Sequence, residues 1–184
     1  MKKGILIAVA IIAIVIGLVG GSYNGLVTKQ ETVETKLADV KTYLQRRTDL
    51  IPNLVNTVKG FTEHETEIIN SITEARTKLV NAKTVNEMSE ANDNLSAALN
   101  SLNIIVENYP ELTSDTVYIN LMDELAGTEN RIAISRTNYN EAVKNYNAAV
   151  KKFPTNLIAR IFSFDLSEYF EASDKANEVP EVNF

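Results

Sequence analysis

The sequence predicts an all-α protein: an antiparallel bundle of long helices behind one N-terminal transmembrane helix. Three observations carry this reading. Residues 4–21 form an uncharged, apolar run. Beyond it, apolar residues return every seven positions for most of the chain, the repeat of long helices packed at a shallow angle. Seven glycines, four prolines and no tryptophan in 184 residues leave few of the signals that mark hairpins and sheet turns.

The apolar run reads GILIAVAIIAIVIGLVGG and, with Ser22 and Tyr23 added, is within the roughly 17–25 residues that cross hydrocarbon. Lys2 and Lys3 precede it as in a signal peptide. The run nevertheless exceeds the about 7–15 apolar residues of such a signal, and no A-x-A-like cleavage site follows. Residues 1–23 are therefore expected to be an uncleaved anchor that meets the lipid bilayer through residues 4–23. The positive-inside rule weighs Lys2 and Lys3 against Lys29 and Lys36 and favours an extracytoplasmic bundle on a single-pass anchor. Lys41, Arg46 and Arg47 keep the opposite topology open.

Residues 24–166 are expected to form the bundle. In its first helix Leu37, Leu44, Ile51, Val58, Ile72 and Leu79 share one seam, and Val40, Leu54, Phe61, Ile68, Ala75 and Ala82 its companion. Pro52 removes the hydrogen bond to the Thr48 carbonyl, yet the phase of the seams passes it unbroken, which favours a bent helix over a hairpin. A second helix carries Val85, Leu99 and Val106, with Asn92, on one seam and Met88, Leu95, Leu102 and Tyr109 on the other, until Pro110 ends it. Thr113, Ser114 and Asp115 offer N-cap side chains for a third. There Tyr118, Leu125, Ile132, Tyr139, Tyr146 and Phe153 face the smaller Leu121, Thr128, Ser135, Ala142 and Ala149.

Pro154 stops that helix. Residues 156–164, NLIARIFSF, then read either as a cap over the bundle end or as a membrane-surface helix; a single basic residue, Arg160, favours the cap. Residues 167–184 read as an acidic, loosely packed tail in which Val182 and Phe184 could dock.

Charge and composition narrow the function. The formal charge is −6, and because Lys2 and Lys3 are the only charges before Lys29, the remainder carries −8. Such a surface should repel nucleic acid and anionic lipid surfaces. With no cysteine, thiolate metal sites, disulfides and cysteine nucleophiles are excluded. His64 is the single histidine; Ile68 stands where an HExxH zinc motif needs its second. No glycine-rich phosphate loop, nucleophile elbow or paired-carboxylate pocket is legible. The expectation is a non-enzymatic chain without catalytic residues, cofactor, metal or small-molecule substrate.

Four charged residues stand out as candidate buried polar or partner-binding groups: Arg46, Arg47, Asp49 and Glu65. Arg47 shares a seam with Val40 and Leu54, and Glu65 with Val58 and Ile72, so each occupies a core position where an unpaired charge costs several kcal/mol. Eighteen residues of helix separate them by about 27 Å. Their partners must come from other helices, with Glu124, Glu129, Arg131 and Arg136 as candidates. Fixing helix register is the plainer role and a ligand or partner groove the alternative. Asp49, one turn from Arg46 and Arg47, is expected to pair locally at the proline bend. The Tyr139-Asn140 and Tyr146-Asn147 pairs are read as core packing with flanking asparagines.

Several segments resemble a known family: YNGLV at residues 23–27, LQRRTDLIPNLVNTVKGFTEHE at residues 44–65, Ala75-Arg76, and RIAISRTNYNEAVKNYNAAVKKFP at residues 131–154. Together they resemble the two signature blocks of LemA proteins, across nearly the whole chain beyond the anchor. The resemblance implies a bacterial, single-pass membrane protein with an antiparallel helical bundle, no catalytic residues to carry over and no established biochemical role. Two departures are Leu37, where many members have tryptophan, and Ser163-Phe164, where Gly-Phe is common; both read as conservative for packing. The function expected is a scaffold or adaptor at the cell envelope for a protein partner or for copies of itself. A sensory module that signals through the membrane is the alternative.

Overall fold

The computed structural model describes residues 2–62 and 64–171, with the backbone alone for Lys2. Its elements are α1 (Lys2–Lys59), α2 (Thr66–Asn81), α3 (Val85–Asn100), α4 (Leu102–Asn108), a 3-10 turn (Pro110–Ser114), α5 (Thr116–Lys151) and α6 (Thr155–Ile161). Among the described residues there is no strand, and the fold class is all-α as the seven-residue repeat requires.

The apolar run and the first bundle helix are one element, since α1 continues without interruption through Pro52 to Lys59. The helix ends instead at Gly60. Phe61 and Thr62 amides turn back onto the Val58 carbonyl, and the Thr62 hydroxyl accepts from the His64 amide. The seam that joins Val58 to Ile72 therefore crosses two helices and not one. A spacing of fourteen residues preserves the heptad phase across the break, because both helices face the same core. The companion seam is corrected too: Ile69 is buried in place of Ile68, and Phe61 and Ala82 are half-buried at helix ends.

Two compact units are delimited, one built from Met1–Leu37 with Asn138–Glu168, the other from Ala38–Thr137 with the segment that starts at Tyr169. In the second unit the α1 residues Val40, Leu44, Ile51, Leu54 and Val58 form the core with Ile69, Ile72 and Leu79 of α2, Leu95 of α3, Leu102 and Ile105 of α4, and Leu125 and Ile132 of α5. On α3 and α4 the seam beside Met88, Leu95 and Leu102 is Ala91, Ala98 and Ile105; Val85, Leu99 and Val106 are half-buried on the flank. Local chemistry sets the helix starts. Thr84 and Glu87 close a reciprocal capping box on α3, and the Asp115 carboxylate accepts from the Tyr118 amide at 2.8 Å to cap α5.

In the first unit, every residue from 3 to 18 of α1 is exposed, whereas Leu26 and Val33 are buried. Tyr139, Ala142, Val143 and Tyr146 of α5 form its core with Ile158 and Ala159 of α6. Phe153, expected on the large seam of α5, is exposed because it lies beyond the last helical residue, Lys151. After α6 the chain is irregular but not loose: the Tyr146 hydroxyl donates to the Asp165 carbonyl at 2.9 Å and the Tyr139 hydroxyl to that of Glu168 at 2.8 Å. Asn147 both donates to the Ser167 carbonyl and accepts from the Ser167 amide. The start of the expected loose tail is thus tied down; its remainder, with Val182 and Phe184, lies outside the described residues.

Candidate functional site

Arg47 reaches the core because the α1 seam through Leu26, Val33, Val40 and Leu54 carries it there; it is 4% exposed. One guanidinium nitrogen donates to the Asn92 side-chain oxygen at 2.5 Å, the other to the Ser96 hydroxyl at 2.9 Å. The Glu129 carboxylate of α5 lies 2.7 Å away as an ion pair not oriented as a hydrogen bond. Burial lowers the Arg47 pKa from its ordinary value, while the charges of Glu129 and Asp93 oppose the shift. A guanidinium stays charged all the same, so the group offers fixed positive charge and directed donors, not proton transfer. It ties α1, α3 and α5 together at one level.

Arg46, its neighbour, faces outward. It pairs with Glu124 at 2.6 Å, both side chains about half exposed, and this contact holds the Glu124 carboxyl below its ordinary range. Arg46, Asn120, Asp123, Glu124, Thr128 and Arg131 line an open cleft of about 320 Å³, with the Arg131 guanidinium 6.0 Å from the Tyr43 ring centre. The pairing order, Tyr43 with Arg131 and Arg46 with Glu124, makes α1 and α5 antiparallel here. Of the four candidates, Arg46 and Arg47 are thus brought to adjoining faces of one helix pair.

Asp49 and Glu65 are not brought there. The exposed Asp49 accepts from the Gln45 side-chain Nε2 at 2.7 Å, and the two arginines expected to pair with it are engaged across the bundle instead. Glu65 occupies the N-cap position of α2, half-buried, without a capping hydrogen bond from its side chain. The helix break at Gly60 removes it from the core seam.

Two functional arginines were not singled out by the seams. The carbonyl of Thr48, deprived of its helical partner by Pro52, accepts from Arg76 Nε of α2 at 2.8 Å; the pairing of a mid-helix proline with an arginine one helix away was the available signal. Arg136 lies 4.5 Å from the Phe170 ring centre, donates to the Glu171 carbonyl at 3.1 Å and stands 3.6 Å from Asp93. The Ser89 hydroxyl donates to the same Glu171 carbonyl. Arg136, a candidate partner for Glu65, holds the C-terminal segment to α3 and α5 instead.

The LemA family profile matches residues 36–184, most of the chain. The chain belongs to the LemA family. Among curated relatives, the magnetosome protein MamQ 1 of Paramagnetospirillum magneticum is 29% identical, the match covering 81% of this chain and 64% of that protein. MamQ of Magnetospirillum gryphiswaldense is 28% identical with 80% and 64% covered. Protein LemA of Metamycoplasma hominis is 25% identical with 84% and 71% covered. The match thus spans less than two thirds of the length of the magnetosome relatives. In this LemA protein the two blocks RRTDLIPNLV and RIAISRTNYN supply Arg46, Arg47, the Thr48 carbonyl freed by Pro52, Arg136 and Tyr139, so both blocks are built around long-range polar contacts of the bundle.

Proposed function

We propose that this LemA protein is a non-enzymatic scaffold or adaptor, anchored in a bacterial membrane by residues 4–23, with its bundle outside the cytoplasm. The observation that carries the reading is α1 itself. Twenty uncharged residues rise about 30 Å, the thickness of the hydrocarbon core, and pass without a break into the helix that carries Arg46 and Arg47. No linker separates the two segments of this one helix. The charged cleft beside Arg46 supplies a recognition surface of exposed, directional groups for a protein partner. That curated relatives are named as magnetosome proteins supports a role tied to a cell structure and not to a substrate. The unbroken helix also favours a second reading, a regulatory module in which a partner senses movement of α1.

The test places a photo-crosslinking residue at Asn120, on the cleft, in cells that express the full chain. One defined protein adduct, lost in Arg46→Glu while circular dichroism and melting are unchanged, supports the adaptor. Absence of any adduct, or loss of adduct only when the bundle unfolds, refutes it. For sidedness, a cysteine at Ser114 should react with an impermeant maleimide in intact cells; labelling only after lysis would reverse the topology.

A further inference from the structure

We propose that α6 and its flanks are a bilayer-docking surface: Phe153, Leu157, Ile161, Phe162 and Leu166 sit in the headgroup–acyl boundary where α1 leaves the membrane. The proposal rests on the reading of residues 4–23 as a membrane span. Its first support is an inversion of the usual pattern. α6 turns Ile158 and the small Ala159 inward, while Phe153, Leu157, Ile161, Phe162 and Leu166 are 76%, 53%, 71%, 48% and 50% exposed. Leu157 and Ile161 lie four residues apart and share a helix face. Scattered apolar residues on a surface are ordinary, but five large ones exposed within one short segment mark an interaction site.

Height relative to the bilayer is the second support, and it selects the occupant. The Tyr23 ring, at the end of the apolar run, meets Phe162 edge-on at 4.9 Å and Phe164 at 5.6 Å between centroids. Tyrosines at the end of a span sit at headgroup level. Leu26, less than one turn further, is the first fully buried residue of α1, so protein begins to cover the helix where lipid stops. α6 is therefore the layer next to the membrane, and its exposed apolar face is continuous through Tyr23 with the span.

Charge agrees. The chain is acidic overall, yet residues 151–166 carry Lys151, Lys152 and Arg160 against the single acid Asp165. Basic side chains beside an apolar face suit anionic headgroups. Ser163 completes the shape: at φ 56° it reverses the chain after α6, and the Phe164 amide bonds back to the Ala159 carbonyl at 2.9 Å, a Schellman closure. This returns Phe164 to Tyr23.

The experiment uses the full chain in vesicles of phosphatidylethanolamine and phosphatidylglycerol, with nitroxides on single cysteines at Leu157, Ile161, Ile12 and Asn138 of this cysteine-free protein. Collision with oxygen reports lipid and collision with a water-soluble nickel chelate reports solvent. Ile12 should read deep in the bilayer. Asn138, exposed and thirteen helical residues before Lys151, about 20 Å along α5, should read as water. Leu157 and Ile161 should lie about 5–10 Å below the headgroup boundary, with nickel collisions well below those at Asn138. A deep Ile12 with Leu157 and Ile161 as open to nickel as Asn138 overturns the docking surface and leaves the anchor standing. Leu157 and Ile161 closed to both reagents, with spin–spin broadening, would assign the face to a second copy and overturn the lipid assignment; closure without broadening would assign it to a protein and do the same. An Ile12 probe outside lipid overturns the anchor and the docking surface together.

Discussion

Pro52 inside α1 should be tolerable because Arg76 supplies the donor that the proline withholds. In an ordinary helix the amide of residue 52 would bond to the Thr48 carbonyl; proline has no such hydrogen, and Thr48 is only 2% exposed, so water cannot readily replace it. Arg76 Nε stands 2.8 Å from that oxygen. A hydrogen bond from a charged donor contributes about 1.5–3 kcal/mol net. Arg76→Met, which keeps the aliphatic stem, should therefore cost about 2 kcal/mol. Pro52→Ala restores the amide, so in that background the same change should cost less than about 1 kcal/mol, a coupling of about 1–2 kcal/mol. Urea denaturation of the four proteins, followed by far-UV circular dichroism in detergent micelles, measures the cycle. Costs that add to within about 0.5 kcal/mol would refute the reasoning and reduce Arg76 to a packing residue.

Arg47→Met strands the fully buried Asn92 oxygen and should cost about 1–3 kcal/mol, whereas Arg47→Met with Asn92→Leu should recover part of that loss; urea midpoints decide, and a double variant as weak as the sum of its singles would refute the coupling. Ser163→Gly relieves a left-handed residue that costs roughly 1–2 kcal/mol, less about 0.5–1 kcal/mol for the freer unfolded chain, so the melting temperature should rise modestly; a fall would show that the serine side chain matters. Thr84→Ala opens the α3 capping box and should cost about 1 kcal/mol at neutral pH. The Glu87 carboxyl is held low by the Lys83 and Thr84 amides and that of Glu124 by Arg46. Their stabilisation is therefore complete above the ordinary value of 4.5 and lost as the pH falls below it through the lowered folded values. Melting curves should show stability falling there, and falling less in Glu87→Gln. Tyr139→Phe and Tyr146→Phe each remove one donor to the segment after α6 and should cost about 1 kcal/mol; hydrogen exchange at the Ser167 amide should quicken, and unchanged exchange would count against the clamp.

Much of the candidate site was legible from the heptad phase alone. Arg47 stood on a core seam, and a charge there had to be met by other helices; Glu129 was among the partners expected and Glu124 turned out to serve Arg46. Glu65 misled because the phase of a repeat does not register a break of a multiple of seven. Val58 and Ile72 face the same core from different helices, and the glycine at 60 was the local mark of the stop. Asp49 misled through proximity: one turn along a helix is near, but both arginines gain more across the bundle, where α5 presents carboxylates. Ser163 was read as a packing substitution although its effect is on the backbone, since φ at that position cannot be seen from side-chain size.

By itself the sequence determined what depends on neighbours along the chain. The apolar run, the large seam of α5 from Tyr118 to Tyr146, the cap at Asp115 and the stops before Pro110 and Pro154 follow from spacing and local hydrogen bonding over a few residues. Tertiary structure alone decided what depends on groups far apart: Asn92 and Ser96 on Arg47, Arg76 on the carbonyl freed by Pro52, and Tyr139 and Tyr146 on the carbonyls of Glu168 and Asp165. It also decided that α6 turns Ile158 and Ala159 inward and Leu157 and Ile161 out. Buried donors and acceptors must be paired, but which group pairs with which is set by the docking of helices, and no periodicity within one helix encodes its rotation against another.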